Sequence, residues 1–257
     1  IDIDLRKHKI DAIVLELGVM NYLNAFSLDM TKLNDRMGFN WTAFAFQKEN
    51  DTILNQFNQF MVDYRHLIGT RSSDLGFDDE TSSIDLEGGN GVINIVSRLN
   101  MPPYSYKLNN YTVGTEILYM YAFAQAYNFS VNFREAKTIE EEIECLSNKS
   151  CDLAGGVFPI SDEYSSKISY SNRFRPYNGG VVIRYENSND ANEGNPIYDT
   201  LSDFDGEDMG SLIDISYVNL TKETFPKSNI TTYESFYDLF KALLYENRRM
   251  LGRKTFL

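Results

Sequence analysis

The sequence predicts an α/β fold with mostly parallel sheets, divided into two lobes. Three observations carry that prediction. From residue 93 onward, short apolar and β-branched runs alternate with helical patterns, the order that builds parallel sheets. Two polar, Gly/Ser/Asn-rich stretches, 66–91 and 186–196, break the chain into blocks. At 257 residues the chain can bury the core of one large domain or two medium ones.

The stretch KHKIDAIVLE opens the ordered pattern. Ala12-Ile13-Val14-Leu15 reads as a buried strand ending on a carboxylate, Glu16, with too little chain upstream to supply its neighbours. Residues 17–26 follow as a short helix. WTAFAFQKEN (41–50) alternates as a strand does, and DTILNQFNQFMVDY (51–64) carries the helical stripe Ile53, Leu54, Phe57, Phe60, Met61, with Asp51 as its cap. The acidic segment from 66 to 91 reads as a connector. Its GGNG precedes a strand and lacks the Gly-Lys-Ser/Thr of a phosphate loop.

Alternation then sets in. INIVS (93–97) is a strand, TEILYMYAFAQAY (115–127) a largely buried helix, and FSVNF (129–133) a strand. TIEEEIECL (138–146) is a helix with Thr138 and Glu141 as a capping box. DLAGGV (152–157), VVIRY (181–185) and MGSLIDI (209–215) are strands. TTYESFYDLFKALLYEN (231–247) reads as a helix with the stripe Phe236, Leu239, Phe240, Leu243, Leu244 and a capping box of Thr231 and Glu234.

Composition narrows the function. A net charge of −13 argues against nucleic acid, whose binding depends on Lys and Arg at phosphates. No apolar run approaches the roughly 18 residues of a membrane helix. Ile1 carries no signal-peptide pattern, so the chain reads as a mature or excised piece. Cys145 and Cys151 are poor metal ligands, with only His8 and His66 elsewhere in the chain. They fit a short-loop disulfide or two unlinked thiols bracketing a helix-to-strand turn, and both readings stay open. Asn-x-Ser/Thr sequons at Asn40, Asn50, Asn110, Asn128, Asn148, Asn219 and Asn229 permit a secreted eukaryotic origin without establishing it. No nucleophile elbow, paired His or metal cluster suggests an enzyme, and no cofactor is expected.

Several phrases share one likeness. NMPPYSYKLNNYTVGTEILYMYAFAQAY resembles the opening of amino-acid-type extracellular solute-binding proteins of ABC transporters: a strand, a Pro-Pro-aromatic turn, then a Val-Gly-x-Glu/Asp helix start. CDLAGGVFPISDEYSSKISYSNRF is similar to the segment that follows, and LSDFDGEDMGSLIDIS to the start of the second lobe. The likeness covers residues 91 to about 245. KIDAIVLELGVMNYL, however, resembles the family's last second-lobe strand, and TAFAFQKENDTILNQFNQFM its return crossover and closing helix.

The resemblance therefore implies a periplasmic-binding-protein-like (Venus flytrap) fold in a circularly permuted order, or a piece cut from a tandem repeat. It assigns 1–37 to the last part of lobe 2, 38–65 to the last part of lobe 1, and 66–91 to an inter-repeat linker. Residues 92–183 become the first part of lobe 1, and 184–257 the first part of lobe 2. Hinge crossovers are expected near 38–46 and 181–186. Strand 12–15 is then expected to pair with 209–215 and to be fed by the helix 231–247.

The same resemblance implies a ligand set. Glu16 falls where the family has an acidic amine-binder, at a strand end that faces the ligand. Arg98 ends its strand at a position that commonly lines the pocket, where it would pair an anionic ligand or Glu16, a surface arginine being the alternative. Met101 takes the place of the covering aromatic, Tyr104 follows the prolines as a pocket or a core residue, and Phe158 would narrow the pocket. Tyr164 aligns with the family's carboxylate-binding Arg and Pro159 with an N–H donor, so both clamps on the ligand carboxylate depart from the pattern. Ser216 and Tyr217 match the polar pair at a helix N-terminus suited to an anion. The expected partners are a small-molecule ligand, an amino acid or a relative, and a membrane permease or receptor. The expected state is an extracytoplasmic monomer. A sensory ectodomain of the same fold and a degenerate non-binding repeat are the alternatives.

Overall fold

A computed structural model describes residues 10–24, 30–67, 88–108, 111–184, 198, 200–213, 215–234 and 236–244. Strand β1 (Ala12–Glu16) runs straight into α1 (Leu17–Asn24), followed by β2 (Met30–Lys32) and the long β3 (Met37–Gln47). Helix α2 (Asp51–Asp63) presents the expected stripe: Phe57, Phe60 and Met61 are buried, and Ile53 and Leu54 pack on the same cluster. Its N-cap is Asn50 rather than Asp51, which lies in the first turn, where its charge suits the helix's positive end. Most of the 66–91 connector and all of 186–196 lie outside the described residues.

The next block opens with β4 (Val92–Arg98). An antiparallel three-stranded patch follows: β5 (Asn100–Met101), β6 (Ser105–Leu108) and β7 (Tyr111–Val113). Then come α3 (Thr115–Ala126), β8 (Ser130–Ala136), α4 (Ile139–Ser147), β9 (Leu153–Pro159), β10 (Ile168–Tyr170) and β11 (Arg175–Arg184). Thr138 caps α4 by accepting the Glu141 N–H at 3.3 Å, while the Glu141 carboxylate takes the Lys137 N–H at 2.8 Å.

The last elements are β12 (Asp208–Leu212), α5 (Ile215–Thr224), β13 (Asn229–Tyr233) and α6 (Phe236–Leu244). The expected helix over 231–247 is corrected at its start. Residues 229–233 pair in parallel with β12, from Asp208↔Asn229 to Leu212↔Tyr233. Ile230, Thr231, Thr232 and Tyr233 are β-branched or aromatic and take the strand conformation. The capping box of Thr231 and Glu234 does not form, and the helix begins only at Phe236. Residues 245–247 lie outside the described set.

The described chain divides into two compact units, crossing between them at 39/40 within β3 and at 177/178 within β11. In the unit formed by the chain's two ends (unit 1), β1 pairs in parallel with β12 (Ala12↔Met209, Ile13↔Gly210), as expected of strand 209–215. Its other neighbour was not expected: β11 lies antiparallel to it, from Ala12↔Ile183 to Glu16↔Gly179. The core gathers Ala12, Val14, Val181, Ile183, Phe204, Met209 and Phe225. A Cβ on Gly210 would stand 2.4 Å from Ile10 Cδ1 and 2.8 Å from Leu239 Cδ1, so a larger residue there would push these side-chain ends aside.

In the middle unit (unit 2), β4 lies between β8 and β9, parallel to both, and β9 pairs antiparallel with β3. Alternation places consecutive residues on opposite faces. Phe44, Phe46, Ile93 and Ile95 join an aromatic core with Phe57, Phe60, Tyr119 and Phe123 from α2 and α3. Ala45 and Val96 instead join the cluster built on α4 with Ile139, Ile143, Leu146 and Phe158.

Candidate functional site

The buried charged groups of unit 2 gather near the carboxyl ends of β4 and β9. These are parallel strands, and in open α/β sheets ligands bind at that end. Arg98 is the last residue of β4 and is buried there. Its Nε donates to Glu142 Oε2 on α4 at 3.1 Å, and its Nη2 donates to the Val157 carbonyl at 3.0 Å. Its own N–H donates to Glu142 Oε1 at 2.9 Å. With the side chains 4% and 0% exposed, this is an internal brace rather than a solvent-facing charge.

Val157 is held from its other side as well. Its N–H donates to Glu116 Oε2 at 2.9 Å. Between these two grips Val157 has φ of 60°, a left-handed conformation that a β-branched residue adopts at a cost of order 1–3 kcal/mol. Such strain persists only where the surroundings determine it, and here the surroundings are two carboxylate–arginine pairs, one sealed and one partly exposed.

The second pair is Glu116 with Arg175. Arg175 Nη2 donates to Glu116 Oε1 at 3.3 Å, and the guanidinium carbon lies 3.4 Å from the centre of the Tyr104 ring, a stacked cation–π contact. The side chains of this pair are 14% and 3% exposed, so it stands nearer to solvent than Arg98 and Glu142 do. The local chain explains the geometry. Thr115 and Glu116 begin α3 by donating their N–H groups to the carbonyls of Pro103 (3.0 Å) and Tyr104 (2.9 Å). Gly114, with φ of 125°, makes that approach possible, since a Cβ there would lie 2.3 Å from the Tyr104 oxygen. The Pro-Pro-Tyr turn is thus sewn to the start of α3, and Tyr104 and Glu116 form one cradle.

The other sequence-predicted residues are placed as follows. Met101 is buried in β5 and its carbonyl accepts the Tyr104 N–H at 2.8 Å. Phe158 and Tyr164 are core: they meet edge to face at 6.3 Å within the cluster around α4. Phe158 packs there rather than narrowing an open pocket, because its position in β9 points it to the α4 face. Tyr164 stands in the same cluster rather than in place of a carboxylate clamp. Arg98, expected to meet an anion or Glu16, spends its guanidinium on Glu142 and Val157. Cys145 and Cys151 are joined in a disulfide across the α4–β9 turn, with Cα atoms 5.3 Å apart.

In unit 1, Glu16 is buried and its Oε2 accepts the N–H groups of Gly18 (2.8 Å) and Val19 (3.1 Å), so the carboxylate caps the start of α1. Tyr217 is buried in α5 with its carbonyl accepting the Thr221 hydroxyl at 2.7 Å. Ser216 is the second residue of α5, and its side chain lies outside the described set. Arg98 holds the Val157 carbonyl, Tyr104 meets the Arg175 guanidinium that Glu116 also holds, and Phe158 and Tyr164 lie in the core cluster at α4.

Sequence reasoning missed Glu116, Glu142, Val157 and Arg175. Glu116 was visible as the acid of the Val-Gly-x-Glu helix start, and Arg175 as a charged residue directly before Pro176. Their pairing spans 59 residues, and no local pattern announces it. Among the described residues no group of three or more His, Cys, Asp or Glu side chains could hold a metal, and no helix is long and apolar enough to cross a membrane. The arrangement offers a carboxylate and an aromatic face to a cation.

The solved structures similar to this chain include amino-acid-binding proteins. One is an ancestral amino acid-binding protein, a precursor of cyclohexadienyl dehydratase, at 18% identity and TM-score 0.48, over 60% of this chain and 66% of that one. Another is a Salmonella typhimurium periplasmic binding protein with high arginine specificity, at 14% identity and TM-score 0.46, over 59% and 64%. A third is the arginine-bound form of truncated ArgBP from T. maritima, at 17% identity and TM-score 0.45, over 65% and 72%. The chain spans just under two thirds of the ancestral protein. No family model and no curated protein matches the sequence.

Proposed function

We propose that this chain is a solute-binding domain that captures a small polar ligand, an amino acid or a related compound, and presents it to an ABC-type importer outside the cytoplasm. The observation that carries the reading is the gathering of buried charge and a strained residue, Val157, at the carboxyl ends of parallel strands β4 and β9. The sequence likeness over 91–245 supports it, and so do two α/β units traversed by β3 and β11. In this reading the protein recognises and holds its ligand without altering it. The permuted order of segments is part of the same proposal, supported by the seating of β1 beside β12.

A second reading has its own observation. The residues aligned with the family's carboxylate clamp, Pro159 and Tyr164, lie in β9 and in the α4 cluster, and Arg98 is engaged with Glu142. A domain so arranged would be a non-binding structural repeat. Thermal-shift screening of the purified chain against amino acids, dipeptides and small organic acids separates the two. Stabilisation that saturates with one ligand class supports capture, because a ligand that binds only the folded state raises its melting temperature. A flat response at millimolar concentrations of every class gives the structural reading first place.

A further inference from the structure

We infer that Tyr104 and Glu116 form a cation-recognition site in unit 2 that the chain fills with its own Arg175. This inference concerns the internal chemistry of that unit and stands whether or not the capture reading holds. The cradle has the two parts that guanidinium recognition requires: an aromatic face, 3.4 Å from the guanidinium carbon, and a carboxylate oxygen accepting from Nη2 at 3.3 Å. Glu116 divides its labour. Oε2 holds the Val157 N–H and keeps the carboxylate fixed, while Oε1 is turned to the cation. The carboxylate is therefore positioned by the backbone of β9 and does not depend on Arg175 for its orientation.

The ring is positioned independently as well. The Tyr104 N–H donates to Met101, its carbonyl accepts from Glu116, and Gly114 lets the two backbones meet. Arg175 comes from a different element, the first residue of β11. Its guanidinium enters as a guest on a preformed surface. The comparison with Arg98 sharpens this: Arg98 is gripped through its own backbone N–H as well as its side chain and is sealed at 4% exposure, whereas Arg175 retains 14%. The chemical class that fits the cradle is a guanidinium or primary ammonium group. A tethered arginine competes with any free cation at the high effective concentration of an intramolecular group.

The test uses the full chain, its Arg175→Ala variant and the Arg175→Ala/Glu116→Gln double variant, titrated with methylguanidinium chloride and followed by isothermal calorimetry and by the Tyr104 ring resonances. The expected result is saturable binding to Arg175→Ala at least about tenfold tighter than to the wild type, perturbing Tyr104 and lost in the double variant. If Arg175→Ala does not fold alone, methylguanidinium present during refolding restores its native circular dichroism. A folded Arg175→Ala that binds no tighter than the wild type overturns the inference, as does binding that survives Glu116→Gln or an unfolded variant that methylguanidinium does not rescue.

Discussion

Glu16 and Glu116 are both buried carboxylates at the start of a helix, one in each unit, and they meet their partners in opposite ways. Among the described residues, one oxygen of Glu16 takes the N–H groups of Gly18 and Val19, two and three residues on. Glu116 reaches across its unit, to the Val157 N–H 41 residues away and to the Arg175 guanidinium 59 residues away. The first interaction finishes a helix. The second ties three segments, α3, β9 and β11, to one side chain and leaves a cation stacked on Tyr104. The difference teaches that a carboxylate's burial says little about its task; the origin of its donors says more.

The two sites separate most clearly on removal. Glu116→Ala strips the acceptor from a buried N–H and the partner from a half-enclosed arginine together, and is expected to cost about 2–4 kcal/mol in urea unfolding. A loss below that of Glu16→Ala would mean that Glu116 is no more than another helix-start residue. Glu16→Ala removes a cap, worth about 1 kcal/mol. Its amide-exchange changes are expected at Gly18 and Val19, within α1. Wide loss of protection through unit 1 would show that Glu16 carries a longer-range role.

These contrasts also explain what could be read in the sequence. The helices from 92 to 157 and the strands β4, β8 and β9 were legible because their patterns are local, whereas the short antiparallel strands β5, β6 and β7 were missed, and strand 12–15 could be assigned to 209–215 through family likeness. The strand at 229–233 was missed because Thr231 and Glu234 imitate a capping box while the pairing with β12 is non-local. Glu16, Arg98 and Tyr104 were singled out in the sequence, but the partners that the fold gives each of them were not. Arg98 was expected to face a ligand and instead meets Glu142, a residue that sequence patterns place simply in the acidic first turn of α4. Pairings of this kind depend on which side chains the folded sheet brings together at its strand ends.

The smallest expected effect lies in unit 1, where the carboxylates of Glu207, Asp11 and Asp208 crowd together. Burial, then the neighbouring Asp11 carboxylate, raises the Glu207 carboxyl above its ordinary range, with Asp208 adding to the effect. A raised carboxyl binds its proton more tightly in the folded state. Stability from this group is therefore fully present below the unfolded carboxyl's pKa and declines as pH rises through the folded one. Glu207→Gln is expected to flatten that decline in urea midpoints followed across the acidic range. An unchanged slope would place the pH dependence on other groups.

The central claim, that Arg175 occupies the Tyr104–Glu116 cradle, is tested most directly by the Arg175 side-chain Nε–H resonance of the folded protein. A guanidinium lying over the ring predicts a signal shifted upfield by the ring current and slowed in exchange with water. In Tyr104→Leu the shift is lost, and in Glu116→Gln the exchange quickens. An Arg175 signal at the position and exchange rate of a solvated arginine, unchanged in both variants, would contradict the account.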